Sequence, residues 1–499
     1  MSHGNGRGNG HGDHFDIRAA ARRILTTAGF EPDLPEPARQ QLDGLEAPAA
    51  LTGGVRDLRD LPWSSIDNTE SRDLDQIEIA DPLDNGDIRV IVAIADVDSL
   101  VPAGTPLDEH ASANCTSVYT GVQVFPMLPE KLSTNLTSLN QDEDRLAVAI
   151  ETVVNKDGDV TAFDVYRAMV RNRAQLAYDD VGAWLDGGPV PDRVEGKKDL
   201  IEQLKLQRDA SKRLKAERVR HGALEFDTIE ATPVTRDGKI VDLKVVQKNL
   251  ARDLIEDFMI ASNVAIAKFL EAKGRSGIRR VVREPERWDR IVELAKRYGT
   301  TLPNEPDSLA LANFLAARRA ADPERFPDLS VSIVKLMGPG IYALDLPGKD
   351  PGGHFGLATH DYSHATAPNR RYADLITQRL VKATLADAAP PYSNQDLTAI
   401  AAHCTEREDA ERKVERTVRK TAAALILSDR IGQSFDAIVT GANEKGTFVR
   451  TFHPPAEGMV VRDHAGFDVG DKVRVKLVEA DPHKGYIDFE GQGEIGHAH

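Results

Sequence analysis

The run Ile88-Arg-Val-Ile-Val-Ala-Ile-Ala-Asp-Val97 decides the fold. It is β-branched and almost continuously apolar within Asp87 to Val101, the pattern of a strand buried on both faces of a sheet. A second strand of the same kind is expected at Leu146 to Val154. Working downstream, residues 195 to 221 read as a long, heavily charged helix. Leu254 to Ala272 reads as a more apolar one, with Ile255, Phe258, Met259 and Ser262 on a shared face. Buried strands interleaved with such helices predict a mixed α/β (α+β) architecture.

Between the two helices a hairpin is expected from Thr228 to Thr235 and Lys239 to Val246, because the Asp-Gly pair of Arg236-Asp-Gly238 favours a tight turn. Helices are expected again from Leu375 to Asp429, broken at Ala389-Pro390-Pro391, where consecutive prolines cannot continue a helix. Residues 15 to about 45 read as two short helices, with Ile17, Ala20, Ile24 and Leu25 at helical spacing. After Gly432 five short strands are expected: Phe435 to Gly441, Gly446 to Arg450, Gly458 to Val461, Lys472 to Leu477 and Gly485 to Phe489. Five such strands suggest an OB barrel, on which Phe448, Arg450, Phe452 and His453 are candidates for a nucleic-acid face. The expected division is a tail (1–14), a helical module (15–58), a catalytic domain (59–430), the OB-fold barrel (431–491) and a closing tail (492–499).

Upstream of the buried strand lies Asp67-Asn-Thr-Glu-Ser-Arg-Asp73-Leu-Asp75-Gln76. Carboxylates this crowded repel one another at neutral pH, and a divalent cation relieves that repulsion. Hard oxygen donors favour magnesium, or manganese in its place. A solvated acidic loop is the competing reading. A calcium loop is excluded, since the turn glycine is absent.

Composition narrows the function classes. With 499 residues, 41% hydrophobic and 28% charged, the chain is long enough for about three domains and has no apolar run that spans a membrane. The opening Met1 to His14 has no apolar core and does not read as a signal peptide, so a cytoplasmic location is expected. Cys115 and Cys404 are the two cysteines, too far apart in sequence for a disulfide framework or a zinc motif. A net charge of −16 argues against a DNA-coating protein. It leaves room for a local basic channel, for which Lys205 to Arg220 and Arg279-Arg280-Val-Val-Arg283 stand out. His354, His360 and His364 are rejected as a zinc site because Gly352, Gly353 and Gly356 make the segment a loop.

The chain resembles the ribonuclease II and R exoribonucleases, defined by the RNB catalytic domain. The resemblance covers about residues 60 to 490. It is carried by Ile94-Ala-Asp-Val97, Thr116-Ser-Val-Tyr119, Pro126-Met-Leu-Pro-Glu-Lys-Leu-Ser133, Ser138-Leu-Asn140, Leu254-Ile-Glu-Asp-Phe-Met259 and His364-Ala-Thr-Ala-Pro-Asn-Arg370-Arg371-Tyr372-Ala-Asp374-Leu375. It implies an enzyme that degrades single-stranded RNA from its 3′ end to nucleoside 5′-monophosphates, with two metals assisting water attack.

The same resemblance implies site residues. Asp67, Asp73 and Asp75 would hold metal, with Gln76 standing where the family has a fourth aspartate. An amide oxygen there can ligate but brings no charge, so one ion would bind more weakly. Asp73 and Asp75 would also serve catalysis with Arg370, whose guanidinium contacts the scissile phosphate. An ion pair between Arg370 and Asp374 on one helix face is the alternative. Tyr119, Tyr178 and, by a looser match, Phe226 would stack on bases, unless they are plain core; Arg371 would bind RNA. Glu415 matches a glutamate near the terminal ribose, where it could accept the 2′-hydroxyl, although Glu406 to Lys420 also reads as a solvated helix face.

Relatives begin with two cold-shock barrels, whereas about sixty residues precede the acidic block here, so a more permissive RNA entrance is expected. The reading is a magnesium-dependent 3′→5′ exoribonuclease acting on single-stranded RNA. Its rivals are an RNB-type protein, weakened by Gln76, that binds RNA without cutting it, and a DNA-directed phosphoesterase.

Overall fold

In the computed structural model the described residues are 15–495, apart from 52, 228–229, 237–238, 247, 444–445, 464–465 and 468–469. The opening stretch 1–14, the Asp237-Gly238 turn and the last residues of the expected closing tail lie outside them.

Two short helices come first, α1 (Ile17–Thr27) and α2 (Glu36–Asp43). Asp16 caps α1 by accepting from the amides of Arg18 and Ala19, and Ile17, Ala21 and Leu25 turn the apolar side inward. A mixed sheet of seven strands follows. It contains β1 (Arg56–Asp57), β2 (Ser64–Asp67), β3 (Gln76–Pro82) and β4 (Ile88–Ala95). After helix α3 (Pro106–Asn114) and a small pair β5 (Val118–Tyr119) and β6 (Val124–Phe125), it is completed by β7 (Asp144–Val154), β8 (Val160–Arg171) and β9 (Ala174–Ala177). The spatial order is β1-β8-β7-β4-β3-β2-β9. The central β4 is flanked by β3 and β7, and seven of its eight residues are buried, which is why its sequence does not alternate.

Helices α4 (Tyr178–Leu185), α5 (Lys198–Arg220) and α6 (Leu250–Ala272) come next, with α5 and α6 lying against the sheet and each other. A two-stranded ribbon, β10 (Glu230–Arg236) and β11 (Lys239–Val246), connects them. The main core runs from Trp63 and Ile66 through β3, β4 and β7 to Leu254 and Phe258 of α6. Three helices with no counterpart in the expectations above, α7 (Trp288–Arg297), α8 (Ser308–Ala321) and α9 (Phe326–Met337), form a separate cluster around Trp288, Phe314 and Phe326. They interrupt the pair β12 (Gly277–Val281) and β13 (Ile341–Asp345).

Helix α10 (Tyr372–Leu385) precedes the proline loop, and α11 (Asn394–Leu427) follows it. The capping box of Ser393 and Asp396 starts α11, whose 34 residues span roughly 50 Å. Its early residues Leu397, Ala401 and Cys404 join the main core, Val414 and Val418 pack with α1, and Ala423, Ala424 and Leu427 enter the barrel. The barrel is closed, in the order β14-β15-β16-β18-β17, from β14 (Ser434–Asn443), β15 (Gly446–Thr451), β16 (Glu457–Arg462), β17 (Lys472–Asp481) and β18 (Tyr486–Glu494). This is the five-stranded OB arrangement. Its last strand extends past residue 491, into the expected closing tail.

Part of the two basic stretches is taken up by ion pairs, while Lys205, Lys212, Arg220 and Arg283 stay exposed. Arg279 meets Asp345 at 2.6 Å and Asp361 at 2.7 Å, and Arg280 holds Glu408 with both terminal nitrogens at 2.5 and 2.7 Å. On α5, Arg218 pairs with the buried Asp257 at 2.5 Å and Lys215 with Asp253 at 3.0 Å. Buried sites of this kind demand partners for each charge, which accounts for the pairs of Arg279, Arg280 and Arg218. Arg450 is corrected on the same ground. It is buried and bridges the barrel to Asp328 of α9 at 3.1 Å rather than facing outward.

Candidate active site

A cavity of about 2080 Å3 opens beside the C-terminal end of β2 and the start of β3. Its floor is the acidic loop. Ser138 holds that loop in place: its Oγ accepts from the Leu74 amide at 3.0 Å and donates to the Arg72 carbonyl at 2.8 Å, while the Leu139 amide donates to the Leu74 carbonyl at 3.0 Å. The Ser138-Leu-Asn140 block is thus a fastener for the carboxylates.

Asp67 ends β2, its Oδ1 accepting from the Asn68 amide at 2.7 Å and the Ser71 hydroxyl at 3.0 Å. Asp73 accepts the Tyr119 hydroxyl at 2.7 Å. Asp75 is buried; its Oδ1 accepts from the Asn369 amide at 2.9 Å and its Oδ2 lies 3.3 Å from Arg370 Nε. Burial pushes the Asp75 carboxyl up to about 7, opposed by Arg370 and the Asn369 amide, and burial likewise raises Asp67. Gln76 lines the same cavity.

The arginine block reaches the carboxylates because five contacts hold it. Asn263 of α6 accepts the Ala365 amide at 2.8 Å, Asp374 accepts the Ala367 amide at 2.8 Å, and Thr137 donates to the Asn369 side chain at 2.6 Å. The Ser117 amide donates to the Arg370 carbonyl at 3.0 Å and the Tyr372 amide to the Cys115 carbonyl at 2.8 Å. The ion pair expected between Arg370 and Asp374 does not form. Asp374 takes Arg371 instead, at 2.8 Å, which leaves Arg370 free to turn to Asp75 with 45% of its side chain exposed.

Arg371 therefore stands outside the acidic cavity. It lines a smaller one of about 190 Å3 with Tyr342, His364, Cys115 and Cys404. Phe226 is also displaced from its expected place: it packs against the α7–α9 cluster, while its neighbours Glu225 and Asp227 line the main cavity. The α7–α9 helices offer it an apolar surface that the sequence did not reveal.

Tyr119, Tyr178 and Glu415 do gather at the cavity. The Tyr119 amide donates to Glu415 Oε1 at 3.0 Å, so α11 and the acidic loop meet through one tyrosine. Tyr178 opens α4, and the Arg252 guanidinium lies 4.4 Å from its ring centroid while donating to Asn68 at 2.9 Å. Sequence reasoning left unassigned Arg252, which lines the main cavity, Asn369, whose amide holds Asp75, and Glu411, which lines the smaller cavity. Burial and its neighbour Glu415 raise the Glu411 carboxyl. Glu78, two residues along β3 from Gln76, is fully buried with neither carboxyl oxygen hydrogen-bonded among the described residues, and burial raises it well above the ordinary range. Its oxygens are sealed behind the cavity, so it does not restore the charge missing at Gln76.

The donor set fits a hard divalent cation. Three carboxylates and an amide line one cavity with Arg370 beside Asp75, and burial raises Asp67 and Asp75. Among the described residues no three carboxylate, imidazole or thiolate side chains are already closed around one point. Magnesium needs no such cage, since it keeps waters and takes one or two carboxylates plus substrate oxygens. No described helix is long and apolar enough to cross a membrane.

Comparison with known proteins agrees with this geometry. Residues 433–492 match the RNase II-type exonuclease C-terminal S1 domain. Ribonuclease R of Escherichia coli is 31% identical over 522 aligned positions, covering 96% of this chain and 62% of that protein. Ribonuclease R 1 of Lactococcus lactis is 28% identical, covering 94% and 60%. The chain thus spans about 60% of the length of these curated relatives. Among solved structures, Mycoplasma genitalium RNase R in complex with ribose methylated single-stranded RNA aligns with a TM-score of 0.86 at 23% identity, covering 95% of this chain and 78% of that one. Yeast Ssd1, a pseudonuclease, shares the fold at a TM-score of 0.71 and 16% identity, covering 92% and 57%. Because the RNB domain model matches residues 55–387, a span that includes the carboxylates, Arg370 and the sheet between them, this chain belongs to the RNB domain family.

Proposed function

We propose that the chain is a magnesium-dependent exoribonuclease that shortens single-stranded RNA from its 3′ end and releases nucleoside 5′-monophosphates. The observation that carries this reading is the approach of Arg370 to Asp75 at 3.3 Å on the floor of a cavity walled by Tyr119, Tyr178 and Glu415. Asp67, Asp73, Asp75 and Gln76 would hold the cation. When bound, a divalent ion supplies phosphate screening and an activated water. The protein's own part is positioning. Arg370 presents its remaining donors to the phosphate and stabilises charge that develops there. Tyr119 and Tyr178 offer ring faces that accept any base, and the second oxygen of Glu415 can take a ribose hydroxyl.

Gln76 supports one second reading, an RNA-binding protein with weakened or absent hydrolysis. The fold alone does not choose, as it is shared by nucleases and by a pseudonuclease. The deciding experiment incubates purified protein with 5′-labelled RNA and magnesium, with and without chelator, alongside Asp75→Asn. Progressive shortening that chelator and the variant abolish supports the enzyme. Retained full-length RNA with measurable binding supports the binder.

A further inference from the structure

The chain's two cysteines meet in the fold. Cys115 and Cys404 are 289 positions apart in sequence, yet their sulfurs lie 3.6 Å apart, both thiols free and buried. Cys115 ends α3 in the left-handed region, at φ 58°, a conformation that costs a non-glycine residue about 1 kcal/mol or more. Cys404 sits in the first half of α11. Both line the 190 Å3 cavity, several times the roughly 30 Å3 that a water molecule occupies, so a small peroxide fits beside them.

The surroundings favour a nucleophile at Cys115. The Cys115 sulfur accepts the Cys404 thiol at 3.6 Å and donates to the Ser112 carbonyl at 3.1 Å, and His403 and Arg407 of α11 are the cations that favour its thiolate. The thiol is lowered to about 6, through the Cys404 hydrogen bond first and then His403, while Cys404 is raised, again through its bond to Cys115. The cations beside Cys115 and the carboxylates Asp374 and Glu408 beside Cys404 set the two sulfurs apart, one to attack and one to resolve.

We infer that Cys115 and Cys404 form a peroxide-oxidised dithiol, a modification site joining the α3 terminus to α11. The Cys115 thiolate attacks one oxygen of hydrogen peroxide; the O–O bond breaks, hydroxide leaves and takes up a proton as water, and Cys115 becomes a sulfenic acid. Cys404 then loses its proton and attacks that sulfur, forming the S–S bond as hydroxide departs to become a second water. Two thiols and one peroxide yield one disulfide and two waters, and the two electrons pass from sulfur to peroxide. Reaching the S–S length of about 2.05 Å requires the sulfurs to close by about 1.5 Å.

That closure pulls on the site. The Cys115 carbonyl accepts the Tyr372 amide, Thr116 bridges to Arg371, the Ser117 amide holds the Arg370 carbonyl, and Tyr119 follows with its bonds to Asp73 and Glu415. Oxidation therefore displaces the backbone that places Arg370, and lowers turnover reversibly; this second half rests on the proposed hydrolase reading.

The test uses the full chain, reduced, exposed to hydrogen peroxide, alkylated and digested. The expected product is a Cys115–Cys404 cross-linked peptide, lighter by two hydrogens and restored by dithiothreitol. In Cys404→Ser, dimedone should trap a sulfenic acid at Cys115. Sulfinic or sulfonic acid without a cross-link, a disulfide between two chains, or unchanged alkylation of both thiols would each overturn the dithiol assignment. Should Cys404→Ser fail to fold, Cys404→Ala serves, and the wild-type cross-link decides regardless. For the regulatory half, oxidised wild-type protein should cleave RNA at least threefold more slowly and recover on reduction. A cross-linked protein with unchanged turnover overturns that half alone. A chain that never cleaves RNA removes the hydrolase reading but leaves the cross-link result standing.

Discussion

Arg370 reaches back across 295 positions of chain to Asp75, Nε to Oδ2 at 3.3 Å, while Arg371 beside it turns to Asp374 three residues on. Adjacent residues in one motif thus serve two carboxylates on opposite errands. Asp374 fixes the loop, through Arg371 and the Ala367 amide, and the other pair faces the cavity. Arg370→Ala should lower kcat by about 10²–10³ while RNA affinity measured in chelator changes far less. Equal losses in both quantities would return Arg370 to a structural role.

Tyr119 performs two tasks that separate cleanly. Tyr119→Phe removes the hydroxyl bond to Asp73 but keeps the ring, so RNA affinity should hold. Tyr119→Ala removes the ring as well, and should weaken binding by about 1–3 kcal/mol for the lost stacking. Fluorescence anisotropy with labelled RNA distinguishes the two, and identical affinities for both variants would rule out stacking.

Gln76 contributes an oxygen without charge to the cavity. Gln76→Asp should tighten magnesium or manganese binding on the order of tenfold, read by calorimetry without RNA. Unchanged affinity would place the residue outside the ligand set.

Arg218 of α5, in one of the two basic stretches, pairs with the buried Asp257 of α6. Arg218→Ala leaves the Asp257 charge unpaired and should destabilise the fold by about 3–5 kcal/mol, with RNA affinity preserved. Loss of affinity without loss of thermal stability would make α5 an RNA surface after all.

His354 is largely buried, its Nδ1 accepting the Leu357 amide, with the Tyr362 ring edge 5.2 Å away and His364 and Met337 nearby. Burial, with Arg280 next, lowers it to about 4. The unfolded chain takes up a proton near pH 6.5 and the folded one only near 4, so stability should fall as pH drops through that window. His354→Asn keeps an acceptor for the Leu357 amide and should flatten the fall by about 1–2 kcal/mol after allowing for partial exposure. An unaltered pH profile of melting would contradict this.

Much of the architecture was legible because its signals are local. The unbroken apolar run of β4, the charged length of α5 and the turn-punctuated strands after Gly432 each state their own structure. The acidic cluster was legible for the same reason, since four of its carboxyl and amide groups lie within ten residues. What stayed hidden depends on distant partners. Arg279 and Arg280 read as part of a basic channel, and Arg450 as part of a nucleic-acid face, because Asp345, Glu408 and Asp328 lie far along the chain. Phe226 read as a stacking ring because the α7–α9 helices that bury it gave no strong pattern of their own. The closeness of Cys115 and Cys404, 289 positions apart, leaves no mark in the sequence because folding alone sets it.

Helix α11 places residues in the main core, in the cluster with α1 and in the barrel. A single rigid rod with its two ends anchored in different cores leaves little slack between them. Thermal or chemical unfolding should therefore not shed the barrel as an early, silent event: melting there frees the shaft that carries Glu415, and the catalytic half loses order in the same transition.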